Sequence, residues 1–450
     1  MSTAAATPEV KSSPENPWVV KWNKFWFEPT SPVAMAIFRI IFGLIILEDF
    51  VIHLYPDFAL FYLSNSLIPI KDMIGLFWGS ENLFDAMLLL PPGDQWIWGA
   101  YWVLVSAAVC LTLGLFTRVS AWVVFFLLMS FSSHFELNQN SGDNYIRIVA
   151  MCVALSNCGD ALSLDNLRRS LKKDWRVTGF GARLSAPWAQ RLIMVQLCIA
   201  YFHTWYCKIK GERWNDGTAV YYAVRYDDLI RFPMPHFLDN LPVYQILTWG
   251  TLVVEFALWS LIWYRPTRYW VLLIGIALHL GIEYSMNLPM FEWAFMCTYI
   301  LFIYPEDLTR AWNYIKAQCT QKFGPPYTIA FDGDCIFCVR TIGLIHRLDI
   351  FGRLRPVDFR HEQSELGEIN LDRAEKELLV KTKSGQWLGG FQAFRFMCAR
   401  LPLIAILTPF LYMPVIAQLG EAIYKLVAAN RQRLLGGSCN HQSCKVPAAG

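Results

Sequence analysis

Charge is scarce in this chain: only 17% of its 450 residues are Asp, Glu, Lys or Arg, and the net charge is +3. So small a balance, with no basic block interleaved with aromatics, argues against nucleic acid as a partner. The opening stretch "MSTAAATPEVKSSPENPWVVKWNKFWFEPTSP" lacks the basic start, apolar core and cleavage site of a signal peptide. The first apolar run is therefore expected to stay in the mature protein. Closely spaced cysteines are also few. Of 12 Cys, most stand singly in apolar runs, as Cys110, Cys152, Cys198 and Cys297 do, and read as small buried hydrophobes. Only Cys335/Cys338 and Cys439/Cys444 have a spacing that suggests chemistry.

Apolar residues are abundant. With 55% hydrophobic and 15% aromatic residues, 19 Trp and a mean hydropathy of +0.32, the composition is that of an integral membrane protein. Runs near spanning length lie at about 34–54, 96–116, 119–137, 143–163, 188–207, 243–264, 267–286 and 289–305, which predicts an α-helical polytopic bundle of about eight spans. Arg118, then Arg168, Arg169, Lys172, Lys173, Arg176 and Arg183, then Arg265 and Arg268, then Arg310, Lys316 and Lys322 fall in alternate connections. The intervening ones are acidic or mixed: Asp57, Asp85 and Asp94, then Glu136 and Asp143, then Glu283 and Glu292. By the positive-inside rule both termini are cytoplasmic, and the expected location is a bacterial inner membrane. Residues 55–95 and 208–242, with their Trp, Tyr and Pro, are expected to be interfacial helices or caps.

The chain changes character near 323. In "KFGPPYTIAFDGDC", Gly-Pro-Pro ends a helix and a β-prone stretch follows. A helix-like "VRTIGLIHRLD", a strand-like "LRPVDF" and a hairpin-like "LLVKTKSGQWLGGFQAF" complete a small α/β domain. The expected division is a cytoplasmic segment 1–32, a membrane domain 33–305, a linker helix 306–325, the α/β domain 326–436 and a Cys-containing tail 437–450. The stretch 401–420 is read as helices packed on the α/β domain, because its three Pro argue against a ninth span.

Cys335 is placed where a strand gives way to a helix, and helix N–H groups there favour a thiolate. Cys335 is the expected nucleophile, with Cys338, one turn on and expected to be more buried, as the resolving thiol of a redox disulfide. A Cys/His zinc site joining Cys335 and Cys338 to Cys439, His441 and Cys444 is the alternative. "FDGDCIFC", with "LRPVDF", "SGQWLGGFQAF" and "IYKLVAANRQRL" after it, resembles the thioredoxin-like DCC family of thiol–disulfide oxidoreductases. Its Asp-x-x-Cys-x-x-Cys stands here as Asp332, Cys335 and Cys338, and the resemblance runs from about 326 to 436.

Charged groups in membrane segments are costly and mark candidate sites. Asn138, Asn140, Asp143, Asn144 and Arg147 open one helix; His203, Lys208, Lys210, Trp214 and Asp216 lie around the end of another. His279 and Glu283 share a helix face, and Glu255 lies mid-helix. Topology places Asp143, Lys208 and His279 in the outer half of the bundle, as an intramembrane pocket requires. A desolvated Lys208 would be a neutral base, with His279 or Asp143 stabilising charge or relaying a proton. Each also has a plainer reading: Lys208 as a snorkelling anchor, His279 as a hydrogen-bonded core residue, Asp143–Arg147 as an ion pair at a helix mouth.

"NSGDNYIRI…LSLDNL", "KIKGERWNDGTAVYYA" and "ALHLGIEYSMNLPMFEW" resemble the HTTM family over about 30–305. That membrane domain is shared with vitamin K-dependent γ-glutamyl carboxylase and with bacterial peptide-toxin maturation proteins. The resemblance implies a quinol-linked reaction with vitamin K hydroquinone or a related quinol, on an exported peptide or protein. It also implies a catalytic role for Lys208, which stands ahead of Trp214 and Gly217 as a carboxylase lysine stands ahead of its Trp-x-x-Gly. Asn140, Asn144, Arg147 and Trp214 are the expected cofactor-binding residues. Asp143 departs from the carboxylase pattern, which has His there. A non-catalytic maturation or immunity factor, or a thiol oxidoreductase anchored by the bundle, remain the alternatives.

Overall fold

The computed structural model describes residues 16–67, 86–134, 140–170, 184–402 and 404–430. Asp85, Glu136, Asn138, Lys172, Lys173, Arg176, Arg183 and the Cys439, His441 and Cys444 group lie outside these. The chain forms two compact units, Met1–Asp165 with Ala182–Pro305, and Asn166–Gly181 with Glu306–Gly450.

In the first unit a helix occupies each apolar run: Val33–Glu48, Asp94–Leu113, Thr117–His134, Ser141–Leu155, Trp188–Lys208, Leu241–Ser260, Arg265–Ser285 and Phe291–Thr298. Local chemistry sets their ends. Pro242 and Pro266 sit in the first turns, where a missing N–H costs nothing. Asn240 caps its helix by accepting from Val243 N at 3.2 Å. Gly114, at φ +68°, closes the helix ending at Leu113 in the left-handed conformation. Among the described residues, Asp94–Leu113 and Leu241–Trp263 are long and apolar enough to cross a bilayer. A third candidate is the pair Ala405–Leu411 and Pro414–Asn430, if counted together. This is a membrane protein. Other runs change helix type partway: a π-helical Asp49–Leu54 extends Val33–Glu48, and a 3-10 turn, Tyr299–Phe302, extends Phe291–Thr298.

Two buried arginines tie helix ends together. Arg39, fully buried, donates to the carbonyls of Cys158 at 2.8 Å and Leu162 at 2.6 Å. Arg268 donates to Ile262, Phe302 and Trp263 carbonyls at 2.9, 3.2 and 3.0 Å. Arg268 is thus not the loop cation the sequence suggested but a clamp on carbonyls that helix ends leave unpaired. Glu292, read as a loop acid, is likewise buried at the start of Phe291–Thr298.

The second unit holds a four-stranded sheet: β1 Tyr327–Phe331, β2 Leu354–Asp358, β3 Leu379–Lys381 and β4 Trp387–Gly389, in the order β2-β1-β3-β4. β1 and β2 are parallel, crossing over through the Ile336–Leu348 helix; β1–β3 and β3–β4 are antiparallel. The expected βαβ unit followed by a hairpin is what forms. Central β1 is covered on both faces, so its sequence YTIAF reads as a continuous apolar run. Ile329 and Phe331 pack with Ile342, Ile345, Val380 and Met397, while Ala330 packs with Val357, Phe359 and Leu379 on the opposite face. The 401–420 stretch folds as short helical turns leading into Pro414–Asn430, which packs on the Gly390–Cys398 helix; Gly420 leaves room there for the Phe391 ring.

Burial holds the His346 imidazole below its ordinary pKa, against the attraction of Asp349. A histidine depressed on folding contributes stability that is present above about pH 6.5 and is lost as pH falls through its lowered folded value. Burial raises the Asp349 carboxyl, an effect of opposite sign because the folded form then holds its proton more tightly. Amide exchange in Ile336–Leu348 is expected to quicken as pH falls below 6.5, after correction for intrinsic rates, and His346→Gln is expected to flatten that dependence.

Candidate functional sites

The thiol pair is built by a strand, a turn and a helix. Cys335 is the N-cap of Ile336–Leu348, and its Sγ accepts from Cys338 N at 3.4 Å. A sulfur at a helix N-terminus is where backbone N–H groups favour a thiolate. The burial order is the reverse of the expected one. Cys335 is buried (9% exposed), whereas Cys338 is half-buried and lines an apolar cavity of about 70 Å³ with Phe337, Ile345, Phe394, Met397 and Val427. The reason is geometric: one turn along the helix from Cys335, position 338 falls on the face toward the cavity. Buried Cys398, by contrast, has its thiol pushed up to about 11, so it stays protonated and inert at neutral pH.

The turn carrying the pair is locked to β2. Arg360 grips Asp332 with two bonds, Nε to Oδ1 at 2.7 Å and a terminal nitrogen to Oδ2 at 3.2 Å. That grip raises the Arg360 pKa and keeps the guanidinium charged. Asp358, nearly fully buried, accepts from Gly333 N at 3.1 Å, Arg360 N at 3.0 Å and His361 Nδ1 at 2.8 Å. A Cβ at position 333 would stand 1.8 Å from Asp358 Oδ2, so only glycine fits the turn. "FDGDCIFC" and the stretch after "RPVDF" thus meet side by side. The motif LRPVDF ends one residue short of Arg360; the acidic Asp332 of the other motif was the signal that a cation should lie near.

A second polar cluster lies within the helices of the first unit. Lys208, the last residue of Trp188–Lys208, forms an ion pair with Glu255 of Leu241–Ser260, and its Nζ lies 4.8 Å from the centroid of the Trp214 ring. His279, 2% exposed, meets Tyr201 Oη through Nε2 at 2.6 Å, and Tyr201 Oη meets Tyr299 Oη at 2.6 Å. Lys208 is close enough to His279, and Glu255 to both tyrosines, to act on them electrostatically. Four helices therefore contribute to two neighbouring polar groups, the Lys208–Glu255 pair and the His279–Tyr201–Tyr299 line. Two of their atoms, Glu255 Oε2 and His279 Nδ1, make no hydrogen bond among the described residues.

Asp143 is placed differently. With Asn140 it forms a reciprocal cap: Asn140 N donates to Asp143 Oδ2 at 2.6 Å, and Asp143 N donates to Asn140 Oδ1 at 3.3 Å. Asn140 Nδ2 also reaches the Pro289 carbonyl at 3.2 Å, and Arg147 bonds Asn144 one turn on. The structure thus gathers Lys208, Trp214 and His279 around one cluster and places Asn140, Asp143, Asn144 and Arg147 at a helix mouth. Tyr201 and Tyr299 were missed as members of the cluster, and Glu255 was singled out without a partner or a role. Glu255 announced itself as a carboxylate mid-helix, but a tyrosine inside an apolar run carries no such signal.

Arg360→Gln is expected to leave Asp332 without its cation and to lower stability by about 1–3 kcal/mol, because the group left behind is buried. Gly333→Ala should cost a similar amount by displacing Asp358. Denaturant midpoints of the full-length protein in detergent check both.

The chain matches the HTTM domain model over residues 27–306 and the DCC1-like thiol-disulfide oxidoreductase model over residues 329–437. It is also similar to an uncharacterized protein of Bacillus subtilis, YitO, at 29% identity over 138 residues, which covers 29% of this chain and 44% of that one. The chain therefore spans less than half the length of that relative. No solved structure matches it. The chain belongs to the HTTM-domain family, and a DCC1-like thiol-disulfide oxidoreductase domain follows its membrane domain.

Proposed function

We propose that this protein is a membrane-resident enzyme that exchanges thiols and disulfides at Cys335 and Cys338 and carries a quinol-linked, carboxylase-like site among its membrane helices. The observation that carries the first part is the seat of Cys335 at a helix N-terminus beside a half-buried Cys338. The Cys335 thiolate attacks one sulfur of a substrate disulfide, forming a mixed disulfide and releasing the other sulfur as a thiolate that takes up a proton. Cys338, after losing its own proton, attacks Cys335 Sγ and releases the second substrate sulfur. Two electrons pass to the substrate, and the pair becomes a disulfide. The strand order β2-β1-β3-β4 supports a thioredoxin-like reading of this domain.

The second part rests on the polar cluster around Lys208. Glu255 Oε2 and His279 Nδ1 are buried polar atoms with capacity to spare, as a ligand bearing two hydroxyl groups requires. Lys208, Glu255, His279 and Trp214 would hold the quinol. When bound, the quinol supplies, with oxygen, the means of making a base strong enough to remove a weakly acidic C–H proton. Glu255 Oε1, paired with Lys208 Nζ, is the group placed to exchange a proton with the amine. His279 Nε2, Tyr201 Oη and Tyr299 Oη form a line along which a proton moves by exchange of hydrogen bonds. Asp143 and Asn140 cap the Ser141–Leu155 helix and fix its first turn. In this reading eight helices cross the bilayer with both termini cytoplasmic, and the substrate is an exported peptide or protein.

Cys338→Ser is expected to accumulate a mixed disulfide with substrate, and Cys335→Ser to accumulate none; non-reducing electrophoresis reads the difference. The opposite pattern would assign attack to the more accessible Cys338. For the membrane site, Lys208→Ala should reduce oxygen-dependent quinol oxidation by tenfold or more in reconstituted membranes. Unchanged oxidation would remove Lys208 from the chemistry.

A further inference from the structure

The Pro414–Asn430 helix is apolar on two opposite faces. One face packs on Gly390–Cys398, with Gly420 against Phe391 and the Tyr424 hydroxyl accepting from Leu378 N at 3.0 Å. Val427 and Ala428 on that side line the cavity beside Cys338. On the other face Val415, Leu419, Ile423 and Leu426 stand 77, 59, 51 and 65% exposed, spaced along one helical stripe. The preceding turns add Ile406 and Phe410, also exposed. An apolar stripe of this length, continued around a corner, is far beyond the scattered surface residues of a water-facing domain and marks an interaction surface.

We infer that this surface docks onto a phospholipid bilayer. Taken together, Ala405–Leu411 and Pro414–Asn430 are long and apolar enough to cross one, but they meet at a bend of 99°, a shape suited to lying in the interface. Tyr412, half in solvent with Arg395 over its ring at 4.5 Å, supplies an aromatic group at headgroup level, and the exposed Lys425, 3.7 Å from Glu421 one turn back, supplies a charged pair there. A bilayer is at hand, because the same chain carries candidate spanning helices. Docking by this stripe leaves the opposite face of the helix as a wall of the Cys338 cavity, so the thiol pair works at the membrane surface. The inference does not depend on thiol exchange, since lipid contact is read without turnover.

The test uses the full-length chain in nanodiscs of phosphatidylcholine and phosphatidylglycerol, with the photoreactive residue benzoylphenylalanine placed at Leu419, at Ile423 or, as a control on the exposed β3–β4 turn, at Ser384. Illumination followed by mass spectrometry is expected to give lipid adducts at Leu419 and Ile423 at least fivefold above Ser384. Lipid adducts no more abundant than at Ser384 would overturn the inference. Predominant peptide adducts at Leu419, with a second copy or with another part of the same chain, would overturn it in favour of a protein partner.

Discussion

Lys208 and Glu255 face each other from two apolar helices, in surroundings that would tolerate neither charge alone. Removing both from water costs several kcal/mol per ion, and their attraction offsets that only while the geometry holds. The pair therefore does more to constrain its helices than to stabilise them. The end of Trp188–Lys208 must stay beside the middle of Leu241–Ser260, and the Trp214 ring over the ammonium narrows the freedom further. Tyr201 lies two turns back along the same helix as Lys208, so the register that brings Lys208 to Glu255 also presents Tyr201 to His279 and Tyr299. Losing the ion pair would loosen the tyrosine–histidine line although none of its own atoms had changed.

The same solution recurs in the thiol domain. Asp332 is nearly buried, and Arg360 meets it with two bonds in the planar fork that suits a carboxylate. A lysine at position 360 would offer a point charge and lose one of the two bonds. Gly333 lets Asp358 approach the turn from the other side, so two carboxylates and one guanidinium fix the backbone that carries Cys335. In both units a buried carboxylate is held by a cation whose removal would strand a charge.

Much of this was legible in the sequence, for physical reasons that differ between units. Helices in an apolar medium must satisfy their backbone internally, so continuous apolar runs announce them, and a helix formed in each of the eight runs. The βαβ-hairpin order was equally readable, because Gly-Pro-Pro and the switch to a β-prone run punctuate it. What the sequence did not yield was pairing across distance. Glu255 was visible as an oddity but not as the partner of Lys208, 47 positions away. Arg268 and Glu292 looked like loop charges because hydropathy sees only composition, whereas their burial depends on which carbonyls and helices surround them. The burial of Cys335 relative to Cys338 turned on a rotation of less than one helical turn, which spacing alone does not fix.

Some of the apolar helices are shorter than the apolar runs they occupy, for a structural reason. A straight α-helix rises 1.5 Å per residue, so Val33–Glu48, with 16 residues, spans about 24 Å, short of a hydrocarbon core of about 30 Å. Its π-helical continuation, Asp49–Leu54, carries the chain onward at the cost of a changed hydrogen-bond pattern. Phe291–Thr298 is extended in the same way by Tyr299–Phe302. At one such junction lies Tyr299, whose hydroxyl joins the polar line to His279. A break in helix type lets a side chain leave the regular register, and here it brings a tyrosine to the cluster. The interruption after Thr298 thus belongs to the same geometry that assembles the buried polar cluster.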